Sequence, residues 1–361
     1  MLNGLKEKFW RVAETRGINR AITEFRPEKG WLILCGHGIC DGPLAMNTPD
    51  DRYIQVATFK AEMEHLLSLG YRFVTLTEGI RRMREGESLD NLVTMTFDDG
   101  MHSVVEFAYP VMVALGVKGC MYVVPGIVGT SRILWTDMII AVCWHRQGEF
   151  ALHFPQGRIS YAGESNRDPG KTSLEVIHTF RTLPEEVRKK CFEQIERMYE
   201  EIPEGFVPRE YLPVTWDELR SLDPGILEVG NHTLSHPKLV NVDGPTMQSE
   251  ITEARRMIAD ELGTPVDHFC YPGGSYDLDV VECVRSAGHA SATTGFFGRN
   301  TRETSAFELR RVVISPTLAR FQSRMSGFER LVRTLMKPGR LLRIVLIVLG
   351  AQAGILAASA A

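Results

Sequence analysis

The strongest constraint on this chain is a rhythm in which short, β-forming apolar runs recur between stretches of helical periodicity. Candidate strands lie at 31–35, 73–75, 93–97, 119–124, 227–230, 268–271, 290–294 and 312–314. Helical patterns lie at 59–69, 77–84, 103–115, 246–262 and 278–287. In the first of these, Phe59, Met63, Leu66 and Leu67 fall at i, i+4, i+7 and i+8, the signature of one buried face. Brief connections such as Asp98-Asp99-Gly100 and Tyr271-Pro272-Gly273-Gly274 separate the two kinds of element. Alternating β and α elements predict an α/β fold on parallel strands. Eight strand candidates favour a closed or nearly closed (β/α) barrel over an open sheet.

The rhythm breaks between about 150 and 212. Residues 157–171 are polar and turn-rich, and 184–201 then reads as a helix with Glu185 and Glu186 four residues before Lys189 and Lys190. This is an insertion over one barrel face, either a substrate lid or a solvated loop and helix without a chemical role. The expected organisation is an amphipathic helix over 1–28, a barrel over 29–316 carrying the insertion, and a basic helix with an apolar C-terminal helical tail over 317–361.

Charge separates these parts. The net charge of −4 combines +6 over 317–343, an uncharged stretch over 344–361 and −10 over 1–316. An acidic body argues against nucleic acid as a partner. The seven scattered cysteines contain no CxxC pair and read as reduced, mostly buried thiols. The first residues show no secretory h-region, so the body is expected in the cytoplasm. Phe321, Met325, Phe328, Leu331, Val332 and Leu335 form one apolar stripe among arginines. That pattern suits either an anionic membrane surface or a terminal helix packed on the barrel. The uncharged 344–361 stretch, at the short limit for spanning a bilayer, favours attachment to the inner face of the cytoplasmic membrane.

Two strand ends carry chemistry. Asp98 and Asp99 follow the run at 93–97, at the end of a β/α barrel strand where reactive side chains collect. Adjacent carboxylates repel, so one is expected to be held ionised by a cation while the other handles protons. Asp-Asp-Gly is equally a common turn. After the run at 227–230 come His232 and His236, whose spacing on a helical turn would aim both imidazoles one way. One carboxylate and two imidazoles suit Zn²⁺ or a similar divalent ion and leave a position open for water.

TFDDG at 96–100, HTLSHP at 232–237 and FCYPGG at 269–274 together resemble the polysaccharide deacetylase family, carbohydrate esterase family 4. The likeness runs over roughly 30–315 and implies a distorted (β/α) barrel. It implies that Asp99, His232 and His236 bind a divalent metal, most often Zn²⁺, and that Asp98 is the general base. It also implies that the backbone N–H of Gly273 stabilises the oxyanion, at a position where the family has Tyr. Two departures stand out. Cys270 replaces an Arg that orients the catalytic Asp, which is expected to raise the pKa of Asp98. The 308–314 run lacks the His that serves as general acid, and Arg310 and Arg311 are expected at the non-catalytic end of their strand.

His37, in a Gly-His-Gly turn after the first strand, is the candidate replacement acid; a backbone-bonded turn His is the alternative. His102, just after the Asp-Asp-Gly turn, is a second candidate acid but reads more readily as a helix-start surface residue. Trp135 and Trp216 suit either stacking on a sugar or burial at helix starts. The resemblance implies removal of an acetyl group, mainly N-acetyl, from a sugar or glycan precursor. Alternatives are hydrolysis of another C–N amide on the same barrel, or a catalytically weak carbohydrate-binding or scaffold protein.

Overall fold

Strongly apolar strands set the architecture. In the computed structural model, which describes residues 29–325 except 49, 148, 155–156 and 161–167, β1 (Leu32–Gly36), β5 (Leu92–Phe97) and β6 (Gly119–Val123) are buried at every position. Burial on both faces is the condition of a parallel sheet covered by helices. The chain divides into Lys29–Pro316 and a separate unit whose described residues are 317–325.

Within Lys29–Pro316, β1, β5 and β6 share one sheet with β9 (Leu227–Asn231), β10 (His268–Cys270), β11 (Ser291–Phe297) and β12 (Leu309–Val313). Their order is β1-β12-β11-β10-β9-β6-β5, and β5 returns to β1 through Leu32↔Val93 to Gly36↔Phe97. All these pairings are parallel, so seven strands close a barrel. All eight sequence-predicted runs are strands. The eighth, β4 (Arg72–Phe73), is a two-residue stub beside the start of β5, on the edge that β6 occupies further along.

Helix α1 (Val56–Ser68) buries Phe59, Met63 and Leu66 as its periodicity predicts, but Leu67 stays 36% exposed. Local chemistry fixes other ends. Thr75 caps α2 (Leu76–Glu85) through the Glu78 N–H, and left-handed Gly86 stops it. A π-helical turn, Val104–Ala108, leads into α3 (Tyr109–Leu115). Asp243 caps α8 (Gly244–Leu262), and α9 (Leu278–Ser286) follows β10.

Two short strands, β2 (Gly38–Cys40) and β3 (Tyr53–Gln55), form a separate parallel pair. The insertion comprises the antiparallel hairpin of β7 (Ala151–Phe154) and β8 (Gly157–Ser160) with α5 (Pro169–Thr182) and α6 (Glu185–Glu200). It shares an apolar core with α4 (Trp135–His145): Ile139, Val142, Leu152, Val176, Phe180 and Ile195 pack there. The periodicity located α6 but missed α4, whose 138–143 run is apolar all round and has no face to detect. Thr215 and Glu218 form a capping box at the start of α7 (Trp216–Arg220).

The second unit's described part is α10 (Leu318–Met325), with Arg320 and Arg324 of the basic segment. No helix among the described residues is long and apolar enough to cross a membrane. The predicted 1–28 helix and the tail beyond 325 lie outside the described residues. Six of the seven cysteines are buried and Cys283 is half-buried; all are free thiols.

Candidate active site

Strand ends gather the predicted residues. β1 leads into His37, β5 into Asp98 and Asp99, β9 into His232, and β10 into the Pro272–Gly274 turn. Gly273 there has φ 62, a backbone that glycine adopts without cost. Asp99 (φ 74), Thr233 (φ 67) and His236 (φ 63) are left-handed non-glycine residues. Such strain costs on the order of 1–3 kcal/mol per residue and persists where surrounding bonds impose it.

Those bonds are visible in the histidine loop. Asn231 Oδ1 accepts from the Thr233 N–H at 2.8 Å, and Thr233 Oγ1 accepts from the His236 N–H at 3.0 Å. Glu250 of α8 accepts from the Ser235 N–H at 2.9 Å and from its hydroxyl at 2.6 Å. The two imidazoles therefore converge, with ring centroids 4.8 Å apart, through an irregular loop. The helical turn expected from their spacing is not formed.

Asp98 and Asp99 face different partners. Arg311 Nη1 and Nη2 donate to Asp98 Oδ1 at 2.6 Å and Oδ2 at 2.9 Å, a bidentate buried pair. The thiols of Cys35 and Cys270 lie 3.7 Å and 3.6 Å from the same carboxylate. Burial by itself would raise the Asp98 carboxyl, but the Arg311 guanidinium outweighs it and holds the pKa at about 2. This reverses the rise expected from Cys270. It also corrects the placement of Arg311: β12 begins at Leu309, so Arg311 lies inside the strand and reaches Asp98, whereas Arg310 is exposed. The guanidinium comes from β12 instead of the β10 end. Leu309 and Arg311 share one strand face, the period-2 signal that a strand starting at 312 concealed.

Asp99 Oδ1 lies 3.5 Å from Nε2 of both His232 and His236. Its Oδ2 is 3.5 Å from Arg52, whose other nitrogen is 2.7 Å from buried Asp137. Sequence reasoning missed this Arg52–Asp137 pair. A single carboxylate in the otherwise apolar α4 was its signal. Desolvation raises the Asp137 carboxyl to about 6 despite Arg52. Burial opposes ionisation of Asp99, but the hydrogen bond with His232 and the nearby imidazoles hold it well below the usual carboxylate range. Burial likewise opposes protonation of His232, yet Cys270 and Asp99 raise its pKa well above the ordinary value. His236 is lowered to about 4 by burial. The field of the cluster favours positive charge at this point.

The same donors suit a divalent cation. Asp99, His232 and His236 offer one carboxylate oxygen and two imidazole nitrogens, all within 4.8 Å of one another. His232 Nδ1 donates to the Cys270 carbonyl at 2.8 Å, which orients Nε2 toward Asp99. A second grouping, Asp98, His232 and Cys270, is geometrically close. The bidentate Arg311 already occupies both oxygens of Asp98, so the Asp99 set is the better one.

His37 is half-buried and follows the end of β1, the same barrel end that carries Asp98 and Asp99 after β5. His102 is not the surface residue expected: it is buried, with Nδ1 2.7 Å from Glu218 and Nε2 2.9 Å from Glu106. A cavity of about 590 Å³ opens beside His236 and Gly273 and is walled by Trp135, Phe180, Arg181 and Phe192. The insertion thus borders the reactive face. Trp216 is half-buried and is not in that cavity lining.

The family described as Polysaccharide deacetylase matches residues 177–292, a span holding His232, His236 and Gly273 but not the Asp pair. No curated protein sequence matches the chain. Among solved structures, the Streptococcus pyogenes deacetylase PplD in complex with acetate is 16% identical, with 86% of this chain and 99% of that chain covered and a TM-score of 0.54. IcaB from Ammonifex degensii is 18% identical, with 81% and 97% covered and a TM-score of 0.53. BC0361, a polysaccharide deacetylase from Bacillus cereus, is 18% identical, with 82% and 69% covered and a TM-score of 0.52. The barrel is the deacetylase (β/α) barrel. Over residues 177–292 the chain is similar to the polysaccharide deacetylase family, and in fold it is similar to solved deacetylases.

Proposed function

We propose that the chain hydrolyses an acetyl group, chiefly an N-acetyl amide, from a sugar or glycan precursor. A divalent metal, Zn²⁺ first among candidates, would be held by Asp99, His232 and His236. The observation that carries the reading is the convergence of those three donors, with the Asp98–Arg311 pair next to them and His236 also lining the cavity. A bound divalent cation would supply Lewis acidity toward the acetyl carbonyl and lower the pKa of water.

The chain's own groups would do the rest. Asp98, positioned by Arg311, takes a proton from water as the new C–O bond forms. The Gly273 N–H donates to the oxygen that gains charge. The C–N bond then breaks, and His37 delivers a proton to the leaving amine. With a pKa of about 2, Asp98 is a weak base in the resting protein. The acidity that a cation held by Asp99, His232 and His236 would lend to water is what would let so weak a carboxylate serve as base.

Metal content and acetate release, measured together on the chain and on His236→Ala, test the proposal. Bound metal with acetate release, and loss of both in the variant, is expected. Metal without turnover of any acetylated sugar favours a binding protein, and turnover of a different amide favours the other C–N hydrolase. The basic 317–343 segment and uncharged 344–361 stretch support attachment to the cytoplasmic membrane face. A full-length chain that stays in the soluble fraction of detergent-free lysate would end that claim.

A further inference from the structure

The cavity beside His236 carries more positive charge than a neutral sugar needs. Its lining includes five cationic side chains, Arg132, Arg181, Arg188, Lys189 and Lys238, and one carboxylate, Glu196. That carboxylate is already 3.6 Å from Arg132. Three of the cations, Arg181, Arg188 and Lys189, come from the insertion, where they straddle the junction between α5 and α6. Lys238 comes from the barrel side, directly after the histidine loop. The wall thus presents cations from two independent elements to one space, against a body whose sum over 1–316 is −10.

We infer that this wall binds a phosphate ester carried by the acetylated sugar, so that the substrate is an anionic sugar phosphate and not a neutral glycan. The inference rests on the deacetylase reading for the bond that reacts, but the anion site stands on its own residues. Arg181 lines the cavity and forms no hydrogen bond or ion pair with a carboxylate among the described residues. Desolvation and the nearby Arg52 guanidinium both lower its pKa. Arg52 is already engaged with Asp99 and Asp137, and Asp50, whose carboxylate offsets part of that repulsion, accepts from the Thr48 hydroxyl and forms no ion pair with Arg181 among the described residues. A phosphate ester suits such a group, because two of its oxygens can accept in parallel from the planar guanidinium fork. Trp135, Phe180 and Phe192 add apolar and aromatic surface for the sugar or for a carrier beyond the phosphate.

Calorimetric titration of the full chain, stripped with chelator so that phosphate has no metal to bind, tests the site. The probes are N-acetylglucosamine, N-acetylglucosamine 1-phosphate and inorganic phosphate at about 50 mM salt. The phosphorylated sugar is expected to bind about tenfold or more tightly than the neutral one, an advantage of about one decade in Kd that shrinks with salt. Arg181→Gln with Lys189→Gln should abolish most of that advantage. Arg256→Gln, on the exposed face of α8, should retain it. Equal affinity for the two sugars, or an advantage untouched by the double substitution, overturns the inference.

A short isoprenyl-phosphate-linked N-acetylglucosamine in micelles distinguishes the source. Tighter binding than the soluble 1-phosphate identifies a lipid-linked substrate, and equal binding a soluble one. Acetate release from neutral sugars with no phosphate preference would defeat only the anion site. Phosphate preference without acetate release from any sugar would defeat only the deacetylase reading.

Discussion

Arg311 and Arg181 serve the same chain under opposite conditions. Arg311 is about 95% buried, and all its charge is spent on Asp98 and neighbouring oxygens. Arg181 borders an open cavity and forms no ion pair with a carboxylate among the described residues, Asp50 acting on it without a direct contact. In the barrel interior, an unpaired charge is prohibitively costly, so the arginine there defines a fixed geometry. At the wall, solvent reduces that cost, and the unspent charge is free to select a ligand. Geometry is thus set by the barrel and selectivity by the insertion.

The sharpest way to break this contrast is to remove each arginine in turn. Arg311→Met leaves Asp98 buried without its partner and should cost on the order of 3–5 kcal/mol in urea unfolding. Adding Asp98→Asn to it should recover part of that loss, because the pair and not either residue is the unit. Arg181→Met should move stability by less than about 0.5 kcal/mol in the same assay. Equal losses at the two positions would erase the distinction between interior and wall.

Acid sharpens it next. The Asp98 carboxyl is depressed to about 2, so its contribution to stability is full above the ordinary carboxylate range and is lost as pH falls toward 2. His268, at the start of β10, is held neutral by burial with its pKa lowered to about 3. It binds a proton more readily when unfolded, so its contribution is full above about 6.5 and declines as pH falls toward 3. His268→Gln should flatten the loss of thermal stability between pH 6.5 and 4, whereas Arg181→Met should leave that slope unchanged.

A smaller and more local effect concerns His37. If it protonates the leaving amine, His37→Gln should lower kcat on N-acetyl substrates by about 10²-fold, and much less on aryl acetates, whose leaving groups need no proton. Equal loss on both would assign His37 to positioning the carboxylates.

The legible part of this molecule was the part with period or motif. The eight short runs appear as strands because they are apolar, and the Asp pair and His pair sit at strand ends where barrel chemistry collects. Arg311 was misplaced because its strand begins three residues earlier than the apolar run suggests, and two adjacent arginines do not look like a strand. The left-handed turn that converges the imidazoles is also hidden, since it depends on a side-chain bond from Asn231 to Thr233 and on Glu250 reaching in from α8. Arg52 and Asp137 meet across 85 residues, a contact that no local pattern encodes.

The account rests most on acetyl hydrolysis by the Asp99, His232 and His236 set. The direct measurement is acetate released from N-acetylated sugars by the same preparation before chelation, after it, and after reloading with Zn²⁺. Activity that falls with the metal and returns with it is the predicted result. Activity unchanged by chelation, or absent from the metal-loaded chain on neutral and phosphorylated sugars alike, would contradict it.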